Sequence, residues 1–203
     1  MTFERETVGG VVLTGGSAVR LDGADKAGIE VAGHTLLERA LAALATLPEI
    51  VVVGPEVPTS RPVTFRLEDP PGGGPAAALL AGLAGFPRRP DVVVALAVDM
   101  PMVTGATVDR LLAALGGPEA GTPDGAVLVD ADGRRQPLCA AYRPAALAAP
   151  GSAHGWSMRR LVADLRLVEV PATAEECQDV DTWEDVLRLR AAARGQGAGG
   201  TCT

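Results

Sequence analysis

The sequence predicts an α/β fold built on a mixed, mostly parallel sheet. Apolar segments of strand length alternate with segments of helical periodicity through the first half of the chain. Later, two strand-like segments flank the turn formers Ala131-Asp-Gly133, which predicts an antiparallel hairpin. The chain has 203 residues, of which 47% are hydrophobic. We therefore expect one domain over residues 1–194 and a disordered, glycine-rich tail at 195–203.

The first half contains four expected strands and two expected helices. The strands are Val8–Leu13, Ile50–Gly54, Val63–Leu67 and Asp91–Val98. The helices are His34–Leu47, whose leucines recur at spacings of three and four, and the small-residue segment Ala76–Ala84. The run Asp91–Val98 is apolar almost throughout, which is typical of a strand covered on both faces.

The second half is expected to add helices, the hairpin and a last strand. The hairpin strands are Ala126–Asp130 and Gln136–Tyr142, and the last strand is Leu167–Val170. The helices are Thr104–Leu115, Met158–Leu165 and Thr182–Ala193. The last of these begins with Thr182-Trp-Glu-Asp185, which is similar to a capping box with Asp in place of Glu.

A glycine-rich turn follows the first strand. In Leu13-Thr-Gly-Gly-Ser17 the glycines let backbone N–H groups approach a ligand without a Cβ in the way, and the Ser17 hydroxyl adds a donor. Arg20 and Lys26 then supply two cations, one with a guanidinium fork and one with a point charge. Asp25 is interpreted either as orienting Lys26 or as merely exposed. Together these groups indicate a site for a nucleoside triphosphate.

The stretch from Leu13 to Lys26 resembles, in register, the signature Leu-Ala-Gly-Gly-x-x-x-Arg-Met-Gly-x-x-Asp-Lys of the molybdenum cofactor nucleotidyltransferases. Further blocks of the family agree in order, and they are Gly74–Leu79, Val98–Pro101, Gln136–Tyr142 and Asp179–Asp185. The resemblance covers residues 8 to 190 and implies a three-layer, Rossmann-like nucleotidyltransferase fold with a mostly parallel mixed sheet.

The resemblance also implies the site. The expected nucleotide-binding residues are Leu13, Thr14, Gly15, Gly16, Ser17, Lys26, Asp69, Gly74, Pro75 and Asp99. The expected catalytic residues are Lys26, Arg20 and Asp99. Asp99 directly follows a buried strand, where a carboxylate is suited to hold Mg²⁺. Asp181 is the second expected metal ligand, with Asp179 as its competitor and helix capping as the alternative role of both.

Asp22 and Gly54 depart most clearly from the family, while Thr14 for alanine and Leu21 for methionine are mild changes within the signature. Two segments have open roles. Asp22 stands where the family has glycine, which puts a negative charge near the triphosphate. Gly54 stands where guanylyl-transferring relatives often carry a polar side chain, so the identity of the base stays open. The glycines 72–74 and the preceding Asp69 are expected either to approach the nucleotide, with Asp69 facing the base, or to form a flexible surface loop. The segment 155–160 (Gly-Trp-Ser-Met-Arg-Arg) is expected either to contact the phosphorylated acceptor or to pack Trp156 on the core.

The resemblance implies transfer of GMP from GTP to the phosphate of molybdenum-loaded molybdopterin, with Mg²⁺ as the cofactor and pyrophosphate as the leaving group. Transient contacts with molybdoenzymes or with cofactor-synthesis proteins are also expected. A cytidylyltransferase of the same cofactor and a phospholactate guanylyltransferase are the close alternatives. A non-catalytic nucleotide-binding or scaffold protein, with the site spoiled by Asp22, is the alternative of another class.

Composition excludes several other functions. The net charge of −7 argues against a nucleic-acid partner, because such proteins usually present a basic face. No apolar run is long enough to span a bilayer, and the N-terminus carries no signal-peptide pattern. Cys139, Cys177 and Cys202 are far apart and are expected to be free thiols in the cytoplasm. His34 and His154 belong to no nucleophile motif, and His34 is interpreted as a residue at a helix start.

Overall fold

The computed structural model describes residues 8–15, 25–116, 122–147, 153–173 and 175–197. Its strands are β1 Val8–Leu13, β2 Glu30–Val31, β3 His34–Thr35, β4 Glu49–Val53, β5 Thr64–Arg66, β6 Val92–Ala97, β7 Gly125–Val129, β8 Arg135–Tyr142 and β9 Leu167–Pro171. Its α-helices are α1 Leu36–Ala43, α2 Pro75–Leu83, α3 Gly105–Leu115, α4 Met158–Leu161 and α5 Trp183–Gly197, and short 3₁₀ turns lie at Lys26–Gly28 and Pro144–Ala146.

Seven strands form one sheet in the order β5-β4-β1-β6-β8-β7-β9. Only β8 runs against its neighbours, pairing antiparallel with β6 and β7, while the remaining pairs are parallel. The predicted mixed, mostly parallel sheet is therefore confirmed, and so is the predicted hairpin, whose turn contains Gly133 at a φ of +76°.

The helices cover both faces of this sheet and confirm the three-layer prediction. One core contains buried residues of α1, α3 and α5, such as Leu41, Leu111 and Val186. The other contains buried residues of α2 and α4, such as Leu79 and Leu161. Strand β6 lies between them and is buried from Val92 to Leu96, as its apolar sequence predicted.

The order of the strands locates a crevice at one edge of the sheet. The chain passes from β1 to β4 and β5 on one side and then returns to β6 on the other side of β1. Such a reversal leaves a gap at the carboxyl ends of the two central strands, where ligands of open α/β sheets bind. The pairing of β1 and β6 continues to that edge, because Val98 N donates to Leu13 O at 3.0 Å.

Two predicted helices are shorter in the structure. Helix α1 begins at Leu36 instead of His34, because Thr35 caps it by accepting a hydrogen bond from Glu38 N at 3.1 Å. His34 is therefore not a helix-start residue, and it pairs with Val31 in the small β2–β3 hairpin. Helix α4 ends at Leu161 instead of Leu165. The α1 helix also stops at Ala43, and the Arg61 guanidinium binds the carbonyls of Leu44 and Leu47 beyond it.

The last helix is longer than predicted. Its backbone continues to Gly197, so it crosses the expected start of the tail at residue 195. Residues 198–203 lie outside the described part of the chain. Cys139 and Cys177 are free thiols, as predicted, while Cys202 also lies outside. None of the described helices has both the length and the apolar character to cross a membrane.

Candidate functional site

Three charged side chains, distant in sequence, meet at the carboxyl edge of the sheet. The Lys26 ammonium lies 3.2 Å from Asp99 Oδ2 and 2.7 Å from Asp181 Oδ1. Lys26 is 8% exposed, whereas the side chains of Asp99 and Asp181 are 29% and 52% exposed. The cation is thus covered while both carboxylates still face the crevice. The structure therefore brings together three of the site residues that the sequence predicts.

Lys26 carries its full charge in this arrangement. Burial alone lowers the pKa of Lys26, but the hydrogen bond to Asp181 and the charge of Asp99 outweigh it, so the pKa lies above the ordinary 10.5. Asp25 is exposed, and its carboxylate accepts a hydrogen bond from Ala27 N at 3.1 Å. Asp25 thus caps the 3₁₀ turn that begins at Lys26, and it orients Lys26 through the backbone.

Asp181 reaches the site because its segment is tied to the end of β6. Val180 N donates to the backbone carbonyl of Asp99 at 2.8 Å. Just beyond, Asp185 Oδ2 accepts hydrogen bonds from Thr182 N and Thr182 Oγ1, while Asp185 N donates to Thr182 Oγ1. This reciprocal pattern confirms the predicted capping box of α5. Thr182 and Asp185 thus cap α5 together, which leaves the Asp181 side chain to face Lys26.

The same segment is anchored upstream by a buried carboxylate. Glu176 accepts hydrogen bonds from Thr107 Oγ1 and Arg110 Nη2 of α3 and from Thr173 N. Burial raises the pKa of Glu176, but these three bonds together lower it below its ordinary value. Glu176 is therefore ionised at neutral pH, and it fixes the approach of the chain to Asp179 and Asp181.

Asp179 has a different environment from Asp181. Burial, and after it the charges of Asp99 and Asp181, raise the pKa of Asp179 to about 6. It borders a cavity of about 190 Å³ between its own segment and α5, where Arg188 is also found. Among the described hydrogen bonds, those of Lys26 go to Asp99 and Asp181 and none goes to Asp179. The geometry therefore favours Asp181 over Asp179 as the partner of Asp99.

The Thr14 side chain packs against the carboxyl end of β4. Thr14 Oγ1 donates to Val53 O at 3.1 Å, and Thr14 is 6% exposed. A Cβ at Gly54 would lie 1.8 Å from that hydroxyl oxygen. The Thr14 side chain therefore occupies the space that a side chain at position 54 would need. Thr14, which stands where the signature has alanine, and Gly54, which stands where relatives often carry a polar side chain, therefore pack against each other.

We expect Gly54→Ala to lower the free energy of unfolding by about 2–3 kcal/mol, since the methyl group overlaps Thr14 Oγ1. Denaturant unfolding measures this loss. The double variant Thr14→Ala/Gly54→Ala removes the overlapping hydroxyl and should recover part of it. A double variant as unstable as Gly54→Ala alone would contradict the packing of these two residues.

The glycine-rich loop before α2 lies at the same edge. Gly74 precedes the helix with a φ of +85°, and Pro75 is its first residue, one position before the predicted start at Ala76. Asp69 is exposed in this loop. The neighbouring Glu68 was not selected from the sequence, yet its Oε2 accepts a hydrogen bond from Gly73 N at 2.6 Å. Its only sequence signal was its position two residues after an edge strand.

The turn before α4 packs against this loop. Gly155 N donates to Gly73 O at 2.7 Å. Trp156 is partly buried against the core of α2 and α4, and the Arg160 guanidinium stacks 3.9 Å from its ring centroid. Packing of the Trp156 ring on the core is therefore observed, while contact of this segment with the phosphorylated acceptor stays a prediction.

Leu13, Thr14 and Gly15 lie where the nucleotide-binding turn was expected, with Leu13 and Thr14 buried and Gly15 exposed at the carboxyl end of β1. Gly16, Ser17, Arg20 and Asp22 lie outside the described residues.

The fold and the signature residues agree with one known family. A family model described as the MobA-like NTP transferase domain matches residues 10–170. The chain belongs to this family. The match begins inside β1 and ends inside β9, so it includes the glycine turn, Lys26 and Asp99. Asp181 follows the matched region.

Two curated relatives extend the comparison of this MobA-like chain. It is 33% identical over 133 residues to a bifunctional enzyme IspD/IspF from Bradyrhizobium sp. strain BTAi1, across 61% of this chain and 34% of the relative. It is 35% identical over 115 residues to a molybdenum cofactor guanylyltransferase from Bradyrhizobium sp. strain ORS 278, across 53% of this chain and 54% of the relative. The aligned parts span about a third to a half of these curated relatives.

Solved structures show the same fold in other members. The crystal structure of molybdopterin-guanine dinucleotide biosynthesis protein A from Archaeoglobus fulgidus superposes with a TM-score of 0.71. It is 21% identical in sequence, and the superposition covers 92% of this chain and 99% of that one. At this identity the likeness establishes the MobA-like fold.

Proposed function

We propose that this chain is a Mg²⁺-dependent nucleotidyltransferase that moves GMP from GTP to the phosphate of molybdenum-loaded molybdopterin. The observation that carries the proposal is the meeting of Lys26, Asp99 and Asp181 beside the β1 turn. An acceptor phosphate oxygen attacks the α-phosphorus of the nucleotide, the bond to the bridging oxygen of the β-phosphate breaks, and pyrophosphate leaves with both electrons of that bond. This reaction needs alignment and charge neutralisation and no protein nucleophile.

The two carboxylates fit a magnesium ion. Asp99 and Asp181 converge on one cation, the Lys26 ammonium, so their oxygens already define a site for positive charge. Among the described residues no cluster of three or more His, Cys, Asp or Glu side chains forms a metal site. Mg²⁺ is commonly held by one or two carboxylates, with phosphate oxygens and water completing the shell. When bound, it would neutralise charge on the phosphates.

Each protein group has a proposed task in this reaction. Asp99 and Asp181 would hold the Mg²⁺ ion, and Lys26 is proposed to offer its charge to the phosphates, where a point charge on a flexible stem can follow the leaving group. Arg20 is proposed to grip the same triphosphate, and Gly15, Gly16 and Ser17 to offer donors to it. Gly74 and Pro75 are proposed to bring backbone against the nucleoside, with Asp69 facing the base.

Three observations support CTP as an alternative donor nucleotide. The Thr14–Gly54 packing leaves the end of β4 without a side chain that reads the base, and Asp-x-Asp at 179–181 is compatible with the cytidylyl branch. The IspD/IspF relative is also nearly as similar in sequence as the guanylyltransferase relative. Transfer of CMP from CTP is therefore the second candidate.

The test is pyrophosphate release by the purified chain with Mg²⁺, molybdenum-loaded molybdopterin and each of the four nucleoside triphosphates. We expect release with GTP. Release with CTP alone would replace the donor and retain the transferase. No release with any of the four would contradict the proposed function, and activity that appears only in Asp22→Gly would identify this chain as a non-catalytic nucleotide-binding protein.

A further inference from the structure

Both backbone polar groups of Gly73 are hydrogen-bonded. Its N–H donates to Glu68 Oε2 at 2.6 Å, and its carbonyl accepts from Gly155 N at 2.7 Å. Its neighbours Gly72 and Gly74 have φ values of +75° and +85°. Three successive glycines lose more backbone entropy on ordering than other residues do. These two hydrogen bonds are therefore what opposes the intrinsic freedom of the loop.

Gly73 has no room for a side chain. A Cβ at this position would lie 2.7 Å from Ala77 Cβ and 3.1 Å from His154 Nδ1. The residue is enclosed by helix α2 on one side and by the turn before α4 on the other. A side chain here would displace one of these neighbours, and the buried Gly73 backbone packs between them, so packing as well as hydrogen bonding defines the position of the loop.

Glu68 and its neighbour Asp69 have different environments. Glu68 is half-buried, and its carboxylate is engaged by the loop, whereas Asp69 is exposed. A hydrogen bond to an ionised carboxylate is stronger than one between neutral groups. Glu68 thus has the position and the charge to hold a backbone N–H, while Asp69 is accessible to a ligand.

We propose that Glu68 is a positioning residue that fixes the loop Gly72–Gly74 in the conformation that receives the donor nucleotide. The proposal rests on the proposed function, because it assigns this loop to the nucleotide. Gly74 leads directly into α2, which packs on β1 and β4, so fixing Gly73 also fixes the end of α2 that faces the crevice. Glu68 acts through the loop and contacts no reacting atom.

Hydrogen exchange tests the tether without any nucleotide. In the segment 70–75, Pro-Pro-Gly-Gly-Gly-Pro, only the three glycines have backbone amides, so a proteolytic peptide of this segment reports the loop alone. We expect Glu68→Ala to speed exchange there by about tenfold or more. Glu68→Gln should retain most of the protection, because its amide oxygen still accepts the bond. Exchange in Glu68→Ala as slow as in the wild type would overturn the proposal.

Steady-state kinetics test the consequence for the nucleotide. We expect Glu68→Ala to raise KM for the donor about tenfold with kcat changed by less than about threefold, and Glu68→Gln to restore KM. Glu56→Ala removes an exposed carboxylate from the loop between β4 and β5, and it should match the wild type. A wild-type KM in Glu68→Ala, or a loss confined to kcat, would contradict positioning.

The hydrogen-exchange and kinetic experiments together distinguish a failure of the Glu68 proposal from a failure of the proposed function. A wild-type chain that uses none of the four nucleotides contradicts the transferase, and the exchange measurement then still decides whether Glu68 holds the loop. An active wild type with an unchanged Glu68→Ala variant overturns the positioning role alone.

Discussion

Replacing Asp99 with Asn is expected to lower the rate of pyrophosphate release by about 10²–10³-fold. The substitution preserves the size of the side chain and removes its charge. In the wild type that charge lies 3.2 Å from the Lys26 ammonium and is 29% exposed toward the crevice. Asparagine offers a neutral oxygen, which binds Mg²⁺ less strongly than a carboxylate. Initial rates, measured with the nucleoside triphosphate that supports pyrophosphate release by the wild type, give the effect.

Strand β6 offers a matched control for this variant. Asp91 immediately precedes the strand and Asp99 follows it, so the two carboxylates lie at opposite edges of the sheet. Asp91 is exposed, and we expect Asp91→Asn to retain the wild-type rate. Thermal unfolding of both variants verifies that each is folded. A wild-type rate in Asp99→Asn would remove Asp99 from the proposed metal site.

The sheet could be predicted because each strand has its own run of apolar residues, a pattern that depends only on neighbouring positions in the sequence. Residues Val92–Leu96 are apolar without interruption, and the structure buries all of them between two helical layers. The same use of apolar patterns predicted a helix α1 that was too long, because it placed the end of the helix at Leu47 instead of Ala43. Leu44 and Leu47 continue the helical spacing and are buried, but the backbone has already left the helix there. The spacing of apolar residues indicates which side chains are buried. It does not indicate where the hydrogen bonds of the helix backbone end.

The candidate site could be predicted as a set of residues, and its geometry could not. The signature selected Lys26, Asp99 and Asp181 separately, but the contact between them joins positions 73 and 155 residues apart. That contact depends on the pairing of β1 with β6 and on the bond from Val180 N to Asp99 O. Glu68 escaped prediction because its partner is a backbone N–H, which leaves no mark in the sequence.

Replacing Lys26 with Met is expected to reduce the transfer rate by about 10²–10³-fold, because a preorganised charge at the phosphates is lost. Methionine matches the length of the lysine stem, so packing of the 8% exposed side chain is largely retained. The pKa of Lys26 lies above 10.5, so the wild-type ammonium is fully charged near neutral pH and does not itself shape the pH–rate profile there. The stabilisation that this raised pKa represents is fully present below pH 10.5 and is lost as the pH rises through the raised pKa.

A second measurement on the same variant separates two roles of Lys26, which are to supply charge at the phosphates and to compete with a divalent cation for the two carboxylates. In the absence of nucleotide, the Lys26 ammonium occupies the position on which Asp99 and Asp181 converge, so it competes with a divalent cation for their oxygens. We therefore expect Lys26→Met to bind Mn²⁺ more tightly than the wild type in calorimetric titrations, although its transfer rate is lower. Asp99→Asn should bind the ion more weakly and lose activity as well. Weaker Mn²⁺ binding in Lys26→Met would contradict competition between the lysine and the metal at this pair of carboxylates.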